Sequence, residues 1–158
     1  ATAYVRSLAT LEKYQGQAFD CYIDLHRDAA VDAEQHAKVV LSSAANPCAQ
    51  LMMLIGKGED FDVKPYYTEN LTFARQLTLA INQIQPGLCK DVLVKQNRYN
   101  QHIGKRAILV EVGNNKNTLR EALNAMPALS EALYHVLGGE VFLEPASTPK
   151  ALPASAGG

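Results

Sequence analysis

Strands alternating with helices along one chain predict an α/β domain built on a mostly parallel, twisted sheet with helices on both faces. Three observations carry this. "AQLMMLIGKG" (49–58) is an apolar run that stops at glycines, the pattern of a strand buried on both faces. "RAILVEV" (106–112) is the most strand-like run in the chain. Between them Leu71, Ala74, Leu77, Ile81 and Ile84 recur at helical spacing, an inward stripe that Pro86 and Gly87 end.

The remaining elements follow in order. Tyr4, Leu8 and Leu11 mark a first helix, and "QGQ" (15–17) breaks it before the apolar run Phe19 to Leu25. From Asp28 to Asn46 and Pro47 the polarity is mixed and the periodicity weak, which predicts a loop over a site. Pro65 precedes the second helix, where Thr68 can cap the first turn and Glu69 meets the positive dipole end. "DVLVK" (91–95) is a short strand and "QNRYNQHIGK" (96–105) a polar loop. After the turn at Gly113 to Lys116, Thr118 and Glu121 form a capping box. The helix it opens has the stripe Leu119, Leu123, Met126, Ser130, Leu133 and Leu137, with Pro127 expected to kink it and Gly138 and Gly139 to end it. The domain thus runs over 1–139, and 140–158, rich in Pro, Ala, Ser and Gly, reads as a flexible tail.

With 158 residues, 47% hydrophobic and 20% charged, the chain suits a single folded domain rather than a disordered one. Fifteen basic and sixteen acidic side chains leave no global field to draw nucleic acid or anionic lipid. Cys21, Cys48 and Cys89 lack C-x-x-C spacing; Cys21 alternates with Phe19, Ile23 and Leu25 and reads as a small core residue. No run approaches the roughly eighteen apolar residues of a membrane span. Arg98, His102, Lys105 and Arg106 flank Tyr99 in a basic loop, but no second basic patch supports nucleic-acid binding.

Sites in such sheets form at the carboxyl ends of strands. "YIDLHRDAA" (22–30) ends a strand in His26, Arg27 and Asp28, and Glu111 sits inside the last strand between "AILV" and "VG". A carboxylate among apolar neighbours must be offset by a cation, a metal or a proton. Either Glu111 is a general base with a raised pKa, or it pairs with Arg27, Arg98 or Arg106. His26 is either a zinc ligand or a hydrogen-bonded structural residue. Asp28 either orients Arg27 or His26 or caps the loop. His36 and His135 carry no role.

Three blocks together, "YIDLHRDA" (22–29), "ENLTFARQLTLAIN" (69–82) and "VKQNRYNQHIGKRAILVEVGNNKNTLREAL" (94–123), resemble the stage II sporulation protein P branch of the zinc-dependent N-acetylmuramoyl-L-alanine amidases. The resemblance covers about residues 3–137 in the right order. It implies a three-layer α/β/α fold of the amidase type, phosphorylase/hydrolase-like. It further implies cleavage of the amide between N-acetylmuramic acid and L-alanine in peptidoglycan. His26 matches a Zn2+ ligand and Glu111 the glutamate that acts as base toward the metal-bound water. Arg98, Asn100 and His102 fall in the family's "S-R-Y-N-Q-H" stretch beside the active site and, with Arg27 and Asp28, are expected to bind substrate or support the ligands.

The expected partners are glycan strands and stem peptides, with a glycan-processing partner protein and no nucleic acid. The expected location is the cell envelope outside the cytoplasmic membrane, anchored through an N-terminal segment that this chain does not carry. One departure stands against full activity: the family's first strand ends in "H-T-H-N-T-E", supplying the other two ligands, and "ATAYVRSLATLEKY" is not that motif. The chain is thus expected to be a fragment lacking its first strand. The alternative is a non-catalytic cell-wall binding or regulatory module that has lost the metal site.

Overall fold

A computed structural model of the protein describes residues 2–14, 16–29, 40–41 and 46–143. Helix α1 (Thr2–Glu12) leads into strand β1 (Tyr22–Asp28). Two short strands, β2 (Val40–Leu41) and β3 (Cys48–Ala49), pair antiparallel, so part of the expected loop is paired; 30–39 and 42–45 lie outside the described residues. Then come β4 (Leu51–Gly56), α2 (Tyr67–Ile84), β5 (Cys89–Lys95), β6 (Ala107–Asn114) and α3 (Leu119–Leu137).

The four-stranded sheet has the order β1-β6-β4-β5 and makes an α/β fold. β1 with β6, and β4 with β5, are parallel, whereas β4 and β6 run antiparallel. This mixed pattern decides where the strand ends fall: the carboxyl ends of β1 and β6 lie at one end of the sheet, and those of β4 and β5 at the other.

Pleating sends alternate residues to opposite faces. Leu51, Met53, Ile55, Ile108, Val110 and Val112 form one apolar layer, buried against Phe73, Ala74, Leu77 and Ile81 of α2 and Ala125, Leu129 and Ala132 of α3. The opposite face carries Tyr22, Asp24 and His26 of β1 beside Ala107, Leu109 and Glu111 of β6, and α1 lies over it. Helices thus cover both faces.

Three expectations change. Tyr66, not Thr68, precedes α2, and no side chain caps it. Leu119 and Leu123 are 70% and 58% exposed rather than inward. The buried positions of α3 are Ala125, Ala128, Leu129 and Ala132, roughly a third of a turn away. Side-chain size misleads there, because small residues are what allow two helices to approach closely. Ile23 and Leu25 are exposed as well, since β1 is an edge strand beyond the reach of α2 and α3.

Other expectations hold. The Thr118–Glu121 capping box forms, with Glu121 N–H donating to Thr118 Oγ1 at 3.2 Å and Thr118 N–H to Glu121 Oε2 at 2.7 Å. Helix α3 ends at Leu137, ahead of Gly138 and Gly139, with Pro127 inside it. All three cysteines are free; Cys21 is half-buried against the core. Residues 140–143, expected to open the flexible tail, instead dock on the helices: Phe142 exchanges two hydrogen bonds with the Gln76 amide, at 2.8 and 3.1 Å, and His135 meets Glu140 at 2.6 Å. The tail from residue 144 onward lies outside the described residues.

Candidate active site

Parallel pairing of β1 with β6 sets His26 directly beside Glu111 near the carboxyl ends of both strands. Register partners in a parallel pair point to the same face, so imidazole and carboxylate share the α1 side of the sheet. The Glu111 pKa is raised, first by burial, then by the negative charge of Asp28, with His26 pulling the other way and Asp24 adding to the rise. Its Oε2 is buried and has no hydrogen-bond partner. The salt-bridge alternative therefore fails for this carboxylate among the described residues, and a proton or a bound group is left to satisfy it.

His26 is held by a residue two positions earlier. Its Nε2 lies 2.8 Å from Asp24 Oδ1, the i, i+2 neighbour on the same strand face. That bond fixes the ring and leaves Nδ1 as the other nitrogen. Tyr4 of α1 approaches from above: burial raises its pKa, and the charges of Asp24 and Glu111 add to the rise, with Tyr99 between them in size. Asp24 and Tyr4 belong to this rim although sequence reasoning missed both. Strand alternation would have flagged Asp24; nothing local flags Tyr4, which arrives from another element.

Arg27 points to the other side. Its Nη2 donates to the carbonyls of Asn114, at 2.9 Å, and Asn117. The guanidinium thus pins the turn that follows β6. Gly113 begins that turn with φ +60°, and a Cβ there would lie 2.3 Å from Asn117 Oδ1, so only glycine allows the "EVG" strand to leave the sheet this way. Asp28 follows an irregularity in the β1–β6 register, accepts the Asn115 N–H at 2.9 Å through its carbonyl, and touches Glu111 only through charge.

Arg98, Asn100 and His102 lie at the opposite end of the sheet. The loop carrying them is anchored by Gln101, whose amide accepts from Gly56 N–H at 2.8 Å and donates to Leu54 C=O at 2.9 Å, at the carboxyl end of β4. Glu111 opposes Met52 at the start of that strand. Four residues of β6 separate Ala107 from Glu111, about 13 Å at strand rise. Arg98 stacks over Phe61 at 4.4 Å. Asn100 donates to Tyr4 C=O at 2.8 Å and Ser7 Oγ at 3.0 Å, tying the loop to α1. His102 has its pKa lowered, chiefly by burial and then by Arg98. The structure therefore brings together His26, Glu111, Asp28 and the additional Asp24; Arg98 and His102 lie toward the far end, while Asn100 reaches the rim residue Tyr4 and lines the same hollow as Asp24.

Catalytic zinc takes three protein ligands. Among the described residues no three His, Cys, Asp or Glu side chains are grouped to hold a metal ion, and the Nε2 of His26 is engaged with Asp24. These residues by themselves do not compose a zinc site. Among the described residues, no helix is long and apolar enough to cross a membrane.

Residues 1–134 match the family of stage II sporulation protein P. The chain belongs to the stage II sporulation protein P family. Membership ties it to a cell-wall function in sporulation. The matched span contains both His26 and Glu111. Comparison with curated proteins and with solved structures gives no match.

Proposed function

We propose that the protein is a peptidoglycan hydrolase cutting the amide between N-acetylmuramic acid and L-alanine, with Glu111 as general base. The observation that supports this best is the buried, unpartnered Glu111 oxygen with a raised pKa, beside an imidazole at the carboxyl ends of two parallel strands. Such a carboxylate takes a proton from water as the water oxygen bonds to the amide carbon. It then delivers that proton to the departing nitrogen as the C–N bond breaks. Asp24 keeps the His26 ring in one orientation throughout, and burial, then the charge of Asp28, raises the Glu111 pKa, which favours holding the proton for the second transfer. Zinc, as cofactor, would take His26 as one ligand and needs two more from beyond the described residues. Glycan strands and stem peptides are then the partners, alongside a glycan-processing protein, and the site of action is the envelope outside the cytoplasmic membrane.

Purified peptidoglycan incubated with protein expressed from the complete reading frame tests the reading. Stem peptides with a new N-terminal L-alanine should appear, and Glu111→Gln should suppress them. Release at the parent rate by that variant removes Glu111 as the base. His26→Ala should lower the bound zinc per chain; unchanged metal content takes His26 out of the coordination shell.

A further inference from the structure

Helix α3 has two apolar faces, and the fold uses one. Ala125, Ala128, Leu129 and Ala132 are buried against α2 and the sheet, while Leu119, Leu123, Pro127 and Tyr134 line the opposite side and are exposed. They fall at i, i+4, i+8 and i+15, with Ser130 among them, a stripe about 22 Å long at the rise of a helix. Helix α2 shows an ordinary solvent face by contrast: its exposed positions are Thr68, Glu69, Thr72, Arg75 and Gln83, all polar. Large apolar side chains gathered on one exposed stripe, with Tyr134 the most open at 77%, mark a surface that meets another surface.

The charges beside the stripe select the partner. Arg120 and Glu131 are exposed on the same flank, eleven residues apart, and neither has an ion-pair partner among the described residues. Antiparallel helices bring like flanks together, so a second α3 running the other way sets Glu131 against Arg120 at both ends of the contact. In the register centred beside Met126 and Pro127, Leu119 stands opposite Tyr134 of the second copy and Leu123 opposite its Ser130. Pro127 has no N–H to give the Leu123 carbonyl four residues back, and the Ser130 hydroxyl of the second copy offers a donor there. The Tyr134 ring is set in advance: His135 meets it edge to face at 5.5 Å, and Glu140 holds His135 at 2.6 Å. Lys116, ahead of the helix, and Glu140, beyond it, are opposite in sign and add no repulsion, and a net charge of -1 keeps two copies from repelling strongly.

From these features we infer that α3 pairs two copies of the chain, antiparallel and related by a two-fold axis beside Met126 and Pro127. The stripe is complementary to itself, as a two-fold contact requires. The sheet separates it from His26 and Glu111, which lie on the α1 face, so both rims stay open and the inference holds whether or not peptidoglycan is the substrate. A stripe this narrow makes a small, reversible interface. Sedimentation of the 158-residue chain should therefore pass from monomer to dimer between about 10 and 500 µM. Leu123→Lys, at an exposed position, should leave Tm unchanged and keep the chain monomeric across that range.

Arg120→Glu and Glu131→Arg should each weaken pairing by about tenfold at low salt, because each sets like charges together at both ends. An equimolar mixture of these two variants restores opposite charges at both ends and should dimerise like the parent. A parent chain still monomeric at about 500 µM overturns the inference. So does a Leu123→Lys chain that dimerises like the parent, or a mixture no tighter than its components. Monomers that bind neutral phosphatidylcholine vesicles, and lose that binding in Leu123→Lys, would put a lipid surface on the stripe instead and overturn it too.

Discussion

The two ends of the sheet are built on opposite principles. At the carboxyl end of β4, Gln101 is buried and both ends of its amide are bonded to the backbone of that strand; Asn70 does the same for Ala107 N–H, at 3.0 Å, and Gln101 C=O, at 3.1 Å. At the carboxyl ends of β1 and β6 the buried Glu111 oxygen has no partner, and three acidic groups crowd one imidazole. The first arrangement fixes a loop, since the buried amides of Gln101 and Asn70 are answered, although Arg98 Nε and His102 Nδ1 beside them are not. The second holds unspent electrostatic free energy, and such a place is where a reaction or a ligand is accommodated.

The largest effect that would sharpen this contrast is on turnover. Glu111→Gln should reduce hydrolysis by about a hundredfold or more, the usual contribution of a general base. The same change should leave the fold intact or raise Tm. The sign follows from the raised pKa: a carboxyl whose folded pKa exceeds its unfolded one contributes stability below the unfolded pKa, and loses it as pH rises through the folded one. Once ionised, Glu111 is therefore a burden that glutamine removes. A lower Tm for Glu111→Gln at pH 7 would show that the carboxylate is structurally paired. Hydrolysis should fall as pH drops through the raised Glu111 pKa.

The opposite end should respond in the reverse sense. Gln101→Ala leaves Gly56 N–H and Leu54 C=O buried without partners, a cost of roughly 3 kcal/mol in urea unfolding. A loss below about 1 kcal/mol would mean water replaces the amide and the clamp is not structural.

How much of this the sequence disclosed depended on the range of the cause. The α2 stripe and the Thr118–Glu121 box are local patterns that stand where the spacing puts them, and the runs at 49–58 and 106–112 hold β4 (Leu51–Gly56) and most of β6 (Ala107–Asn114), with Ala49 passing to β3. His26 and Glu111 meet because parallel pairing of β1 and β6 aligns their carboxyl ends, a consequence of fold class. Arg98, Asn100 and His102 were drawn to the same place by motif proximity, since "RYNQH" lies only nine residues before Glu111. Strand direction instead sets that loop at the start of β6, away from its finish, and only Asn100 reaches back to the rim, through Tyr4 of α1. The exposure of Leu119 and Leu123 escaped notice for a related reason: which stripe of a helix is buried depends on the partner surface, and here alanines face it.

Two smaller effects probe the ends further. Asp24→Asn should preserve the ring contact but weaken the charge holding His26, lowering kcat by about tenfold with KM little changed. An altered His26 ring signal in NMR would accompany it; kcat equal to the parent's would leave Asp24 without a positioning role.

At the other end the smallest effect concerns acid. His102 has its pKa lowered by burial and by Arg98, and its Nδ1 is buried without a partner, so folding favours the neutral ring. For a base with a depressed folded pKa, the unfolded chain takes up the proton first, and stability declines as pH falls below the ordinary histidine value of about 6.5. His102→Gln removes that proton uptake. The variant should lose less stability than the parent between pH 7 and pH 5, by under about 1 kcal/mol given that the ring is only partly buried. Parallel acid profiles for the two proteins would place the acid sensitivity elsewhere. A flattened profile would show that this end of the sheet, though answered at Gln101, keeps one group that only deprotonation satisfies.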